Sequence, residues 1–309
     1  MSNQTKTTTL NTTCGLLVIN KPAGMTSRDV VNRVQRVTRL KKCGHAGTLD
    51  PLATGVLVIC LGRATRLVPY VQEMTKHYRA EFRFGLRSST DDIEGDLEQV
   101  TDAVCPAGEQ LALALGGIQG EIEQIPPRYS AIKVGGRRAY ALARQGVPLE
   151  LQPRRVRIDA IHLQRYTPPD WEAVIACGSG TYIRSIGRDI GERFGCGCVM
   201  TRLTREAIGQ FSLETAIDLD QLEPESWQRQ MVPPVQAVDK LPRQTCTPQE
   251  ARQLFQGQSI PARGMLDLPA EEEVAVLDEQ GRLVAVTRLT QTGLLKPHLV
   301  LGTEFAGTE

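Results

Sequence analysis

Alternating and helical apolar spacings, punctuated by glycine and proline, divide the chain into short elements. Leu16-Leu17-Val18-Ile19 reads as a strand and runs into the turn Asn20-Lys21-Pro22-Ala23-Gly24. From Thr26 or Ser27 the period becomes helical. Val30, Val31, Val34 and Val37 form the core stripe, and Arg28, Arg33, Arg36 and Arg39 lie largely off it. Val56-Leu57-Val58-Ile59-Cys60-Leu61 is short, apolar and partly β-branched, which predicts a buried strand, and Tyr78 to Phe84 alternates as a half-buried one.

The same reading predicts a helix over 109–118 and a short basic helix over 137–145. Pro126 and Pro127 exclude the intervening stretch from any helix interior. Val156 to Ile161 and Ala173 to Cys177 read as strands. Thr181 to Phe194 places Ile183, Ile186, Ile190 and Phe194 on one helical face. Pro224, Pro233, Pro234 and Pro242 thin the pattern. Beyond them come a helix from Pro248 to Gln256 and two strands, Val274 to Leu277 and Leu283 to Thr287, joined through Gly281. Strands and helices mix without regular βαβ alternation, so the expected class is α+β. The expected division is a polar, disordered tail over 1–13, a large domain over 14–242, and a small β-rich domain over 243–309.

Charge changes the picture only locally. The net charge of the 309 residues is +1, which by itself identifies no polyanionic partner. Residues 128–157, however, carry Arg128, Lys133, Arg137, Arg138, Arg144, Arg154, Arg155 and Arg157 against Glu150 alone. Residues 28–42 carry Arg28, Arg33, Arg36, Arg39, Lys41 and Lys42 against Asp29 alone. Acids gather at 91–96 and 271–273. Such segregation fits a basic face for nucleic acid, although solvated faces look the same. The eight cysteines include no C-x-x-C pair, and Cys196-Gly197-Cys198 is too tight for a zinc-ligand pair. With no leader and no long apolar run, the expectation is a cytoplasmic protein with reduced thiols, no metal and no membrane association.

The candidate chemistry centres on Gly44-His45-Ala46-Gly47-Thr48-Leu49-Asp50-Pro51-Leu52-Ala53-Thr54-Gly55. Glycines permit tight turns, Pro51 restricts Asp50 to an extended backbone, and the buried strand braces the loop. Asp-Pro is also ordinary turn punctuation. Three other segments accompany the loop: Asn20-Lys21-Pro22-Ala23-Gly24-Met25-Thr26-Ser27, Tyr129 to Arg137 after a Pro-Pro pair, and Gly180-Thr181-Tyr182-Ile183-Arg184-Ser185-Ile186. In content and order, from about Leu16 to Phe211, these resemble the bacterial TruB family, which makes pseudouridine at position 55 of tRNA. The tail from about Cys246 resembles a PUA-type domain.

The resemblance implies a mixed, largely antiparallel catalytic sheet of the pseudouridine-synthase type. It also implies a T-arm stem-loop of tRNA as substrate, with no cofactor, no obligate protein partner and a monomeric enzyme. It makes Asp50 the essential carboxylate, either attacking C1′ or removing the C2′ proton. Arg184 pairs with Asp50 and lowers its pKa. Tyr78 stacks on the base, Tyr182 and Leu203 line the pocket, and His45 fills the gap left by the flipped nucleotide. Lys21 supports the loop, and Arg128, Lys133 and Arg137 meet phosphates from an RNA-gripping insertion at about 126–155. Two alternatives stand beside this reading. One is an RNA-binding or tRNA-folding protein without essential catalysis, and the other is a synthase acting on another RNA.

Overall fold

Most of the strands join a single ten-stranded mixed sheet in a computed structural model of the chain. The structure describes residues 13–301 apart from 131, 135, 139–141, 143–144, 146–150 and 265–267. The main path of the sheet runs Ile217–Asp218, Cys14–Lys21, Thr54–Gly62, Cys198–Ile208, Lys76–Phe84, Asp170–Cys177, Arg154–Thr167, Gly120–Gln124. Most pairings are antiparallel. The parallel ones join Ile217–Asp218 to Cys14–Lys21 and Cys198–Ile208 to Thr54–Gly62.

The apolar run at 56–61 is continuous because both faces of its strand are covered. Leu57, Ile59 and Leu61 share a core with Leu17, Ile19 and the helix stripe Val30, Val31, Val34 and Val37. Val56, Val58 and Cys60 face the other way and pack with Leu16, Val18, Ala275, Leu283 and Val286. A strand buried on both sides loses the polar alternation that a half-exposed strand shows. The helix Ser27–Thr38 begins at a capping box: Asp29 N donates to the Thr26 hydroxyl at 3.1 Å, and Thr26 N donates to Asp29 at 3.0 Å.

On the other half of the sheet, Ile183, Ile186 and Ile190 of the helix Ile183–Arg193 pack with Phe82, Trp171, Met200 and Leu203. Gly187 lets that helix approach closely, since a Cβ there would sit 2.6 Å from the Phe82 ring. Phe82 and Trp171 stack with centroids 4.1 Å apart.

The C-terminal sheet has five strands, ordered Arg243–Thr245, Glu273–Leu277, Leu283–Leu289, Leu294–Val300, Ile260–Pro261, with the helix Pro248–Phe255 against them. Its residues Ala275, Leu283, Val286 and Leu301 share a core with the large sheet, so the β-rich tail is packed against the rest of the molecule.

One local expectation is corrected at its boundary. At the start of the basic helix expected over 137–145, Arg137–Arg138 instead pairs antiparallel with Lys133–Val134 as a two-stranded ribbon, while Leu142 is helical. Glycine in the turn (Gly136, φ +81°) permits that reversal. Much of 139–150 lies outside the described residues, as does nearly all of the 1–13 tail.

Candidate active site

The backbone of the Asp50 loop is fixed from three directions. Lys21, wholly buried, donates from Nζ to the carbonyls of Pro22 at 2.8 Å, Met25 at 2.7 Å and Pro51 at 3.2 Å. Ser27 Oγ accepts from Leu49 N at 2.8 Å and donates to Leu49 O at 3.1 Å. Arg205 donates to the carbonyls of Val56 at 2.8 Å, Gly47 at 3.1 Å and Thr48 at 3.4 Å. Gly55 completes the frame at φ +104°, where a Cβ would lie 2.2 Å from the Arg205 carbonyl. Any side chain at Gly55 would push the loop off the neighbouring strand.

That frame leaves the Asp50 carboxylate at the wall of a cavity of ≈ 320 Å³, which Tyr78, Tyr182, Arg184, Leu203 and Arg205 also line. An adjoining cavity of ≈ 870 Å³ shares Asp50 and Arg184 and is bounded by Arg28, His45, Thr90, Asp92 and Tyr129. Clefts of this size, with a few convergent polar groups, suit an organic ligand.

Arg184 organises the charges. Its Nε lies 2.9 Å from Asp50 Oδ2, and its Nη1 lies 3.4 Å from Asp92 Oδ2. It also donates to the carbonyls of Thr90 at 2.7 Å and Tyr129 at 3.1 Å. Its side chain is 5 % exposed. The Nε–H is not aligned on Asp50, so this contact acts through charge and leaves a buried donor unsatisfied at the cavity wall.

Arg184 pulls the Asp50 pKa down as expected, but the net shift is upward. Burial pushes its pKa above the ordinary 3.8, and Asp92 adds to the rise, against the pull of Arg184. The guanidinium is shared between two carboxylates, so it does not fully offset the desolvation of Asp50. Burial likewise raises the Tyr78 phenol, with Arg205 pulling it down. It lowers Lys21 to about 8 and Lys76 to about 8.

The sequence-derived residues therefore separate into groups. Asp50, Tyr78, Arg184, Tyr182 and Leu203 meet in one cavity. Tyr182 is held by Gln124, which accepts from its N–H at 2.8 Å and donates to its carbonyl at 3.0 Å. His45 borders the adjoining cavity, half-buried, and burial lowers its pKa. Lys21 stands behind the loop. Arg128 is exposed, and Lys133 and Arg137 are on the ribbon, their side chains outside the described residues. Missed from sequence were Asp92, Arg205 and Lys76. Asp92 belonged to an acidic run to which the sequence assigned no role, and it is 3 % exposed. Among the described residues no group of His, Cys, Asp or Glu is placed to hold a metal ion. No helix among them is long and apolar enough to cross a membrane.

Comparison with known proteins agrees with the geometry. Residues 35–183 match the family described as TruB family pseudouridylate synthase (N terminal domain). A tRNA pseudouridine synthase B of Mycobacterium sp. (strain KMS) is 42% identical over 255 residues, covering 81% of this chain and 86% of that protein. One from Dehalococcoides mccartyi (strain CBDB1) is 40% identical over 287 residues, covering 92% and 95%. Among solved structures, a Cbf5-Nop10-Gar1 complex contains a chain that superimposes with a TM-score of 0.70 at 25% identity, covering 93% of this chain and 84% of that one.

Proposed function

The chain belongs to the TruB family of pseudouridylate synthases, and from that premise we propose that it converts uridine 55 in the T-loop of tRNA to pseudouridine, with Asp50 as its essential carboxylate. The observation that carries the site assignment is the Asp50–Arg184 pair, 2.9 Å apart at the wall of a cavity that Tyr78 and Tyr182 also line.

The isomerisation breaks the N1–C1′ bond, turns the uracil and joins C5 to C1′. The C5 proton leaves and N1 gains one, so atoms balance without oxidant or cofactor. The target nucleotide must first leave its stack. His45, at the edge of the adjoining cavity, takes the place it vacates. Tyr78 and Tyr182 then supply surface for the base, and stacking is worth about 1–3 kcal/mol per base. Asp50 meets the ribose. Burial raises its pKa, so its ionised form is a stronger base and nucleophile than an ordinary carboxylate, and the charge of Arg184 favours that form.

The test is tritium release from 5-tritiated uridine in a tRNA transcript. The native protein releases one equivalent, and replacing uridine 55 by cytidine removes that release. Release that persists without uridine 55 overturns the target position.

A pH dependence follows from the charge balance. Ionised Asp50 is required, and its pKa is raised from the ordinary 3.8, so kcat/KM falls with acidification at a midpoint above that value. Asp92 is one cause of that rise, so Asp92→Asn moves the acid limb to lower pH. A limb that moves upward, or not at all, refutes the coupling. Single-turnover rates across pH read it directly.

A further inference from the structure

Of the cations at 28–42, only Arg28 borders a cavity shared with Asp50, and all six lie outside the 126–155 segment. In the helix Ser27–Thr38 they are segregated by geometry. At about 100° per residue, Arg28, Asn32, Gln35 and Arg39 fall within about 60° of arc, with Arg36 about 40° beyond. The four valines occupy the opposite side and are buried. Arg28, Arg36, Arg39, Lys41 and Lys42 are exposed, and Arg33 is half-buried.

Their lack of carboxylate partners is the informative part. On the large sheet, several exposed cations are neutralised locally: Arg79 holds Glu172 and Glu206, Arg83 holds Asp170, and Arg202 holds Glu81. Among the described residues, none of the six cations at 28–42 forms an ion pair. The lone acid of the helix, Asp29, is engaged at the capping box with the Thr26 N–H and hydroxyl. Favourable interaction with the helix dipole accounts for Arg36 in the last turn, but it opposes Arg28 in the first.

The far end of the stripe has a shaped surface. Asn32, Gln35, Arg36, Arg39, Leu40 and Lys41 surround a shallow space of ≈ 470 Å³. Gln35 Nε2 donates to the Lys41 carbonyl at 2.7 Å and holds the segment after the helix in place. The near end opens on the active site, because Arg28 borders the cavity that Asp50 and His45 share. From Arg28 to Arg39 the helix rises about 16 Å, which spans roughly five phosphates of a stacked strand at about 3.4 Å each.

We propose that this helix face and the 39–42 segment form a second phosphate-binding track, which grips the tRNA backbone where it leaves the Asp50 cavity. The assignment rests on the tRNA reading above. The contacts it makes position the RNA without reading its sequence.

The experiment measures tRNA affinity between 0.05 and about 1 M salt for the native protein and for an Arg36→Gln/Arg39→Gln/Lys41→Gln variant. Losing three phosphate contacts reduces the log–log salt slope by about 2–3 and weakens Kd by about 100- to 1,000-fold at 0.1 M, with the two lines converging near 1 M. An Arg83→Gln/Arg202→Gln/Arg282→Gln control, whose cations already hold carboxylates, keeps the native slope. Melting curves check that both variants are folded. A triple variant with the native slope, or one weakened equally at every salt, overturns the track. If the native protein releases no tritium from tRNA at all, the enzymatic reading fails instead, and the two failures are separate.

Discussion

Asp50→Asn releases tritium about 10⁴-fold more slowly than the native enzyme or worse, binds tRNA with an unchanged Kd, and melts no lower. Removing a group that forms or activates the reacting bond costs rates of this order in enzymes with a single nucleophile or base. Asparagine is nearly isosteric, and its amide oxygen can still face Arg184 Nε, so the cavity keeps its shape. The loop backbone is held by Lys21, Ser27 and Arg205 rather than by the carboxylate.

The stability half of this expectation follows from the sign of the pKa shift. Asp50 binds its proton more tightly in the fold than in the unfolded chain, so at neutral pH the ionised carboxylate opposes folding. That penalty is smallest in acid and grows as pH rises through the folded pKa. Asparagine removes it, so a melting temperature equal to or above the native value accompanies the lost turnover. Differential scanning calorimetry beside the tritium assay checks both. A variant that melts well below the native protein makes Asp50 structural, and tritium release at more than about a tenth of the native rate removes it from the chemistry.

The elements built on apolar period were legible in the sequence. The valine stripe of Ser27–Thr38 and the isoleucines of Ile183–Arg193 lie on their buried faces. The strand Cys198–Ile208 was not legible, although it joins the two halves of the sheet. It carries Arg202 and Arg205, and a buried arginine looks polar in any pattern. Only the carbonyls of Gly47, Thr48 and Val56, brought together by folding, make Arg205 suitable for the interior.

Asp92 was hidden for a related reason. Its acidic neighbours imply solvent, but Thr90 Oγ1 donates to it at 2.5 Å, Glu94 N donates at 3.0 Å, and Arg184 supplies the charge. Buried charge is settled by partners far along the chain, which no local spacing reports. Asp50 and Arg184 were found because the segments around them form recognisable strings. The number of carboxylates sharing Arg184, and hence the direction of the Asp50 shift, was not written there.

Arg184→Ala loses turnover by about 10³-fold while tRNA affinity stays within a factor of about three. The guanidinium is 5 % exposed and is already engaged by Asp50, Asp92 and two carbonyls, so it is not available to a phosphate. Its removal leaves Asp50 and Asp92 facing the same void without a counter-charge. The Asp50 pKa, already raised, rises further once the largest opposing influence is gone, and the acid limb of kcat/KM moves to higher pH. Breaking a buried ion pair by deleting one partner costs about 3–5 kcal/mol, towards the lower end here because Asp50 is 32 % exposed. A fall in melting temperature of about 5–10 °C follows, so rates are compared below the transition. Arg184→Lys separates charge from shape. Lysine restores a cation but cannot reach Asp50, Asp92, Thr90 O and Tyr129 O with one ammonium, so the acid limb returns towards the native position while kcat stays about 10²-fold low. If Arg184→Ala instead weakens tRNA binding in proportion to its lost rate, with a shallower salt slope, Arg184 is a phosphate contact and the carboxylate network loses its centre.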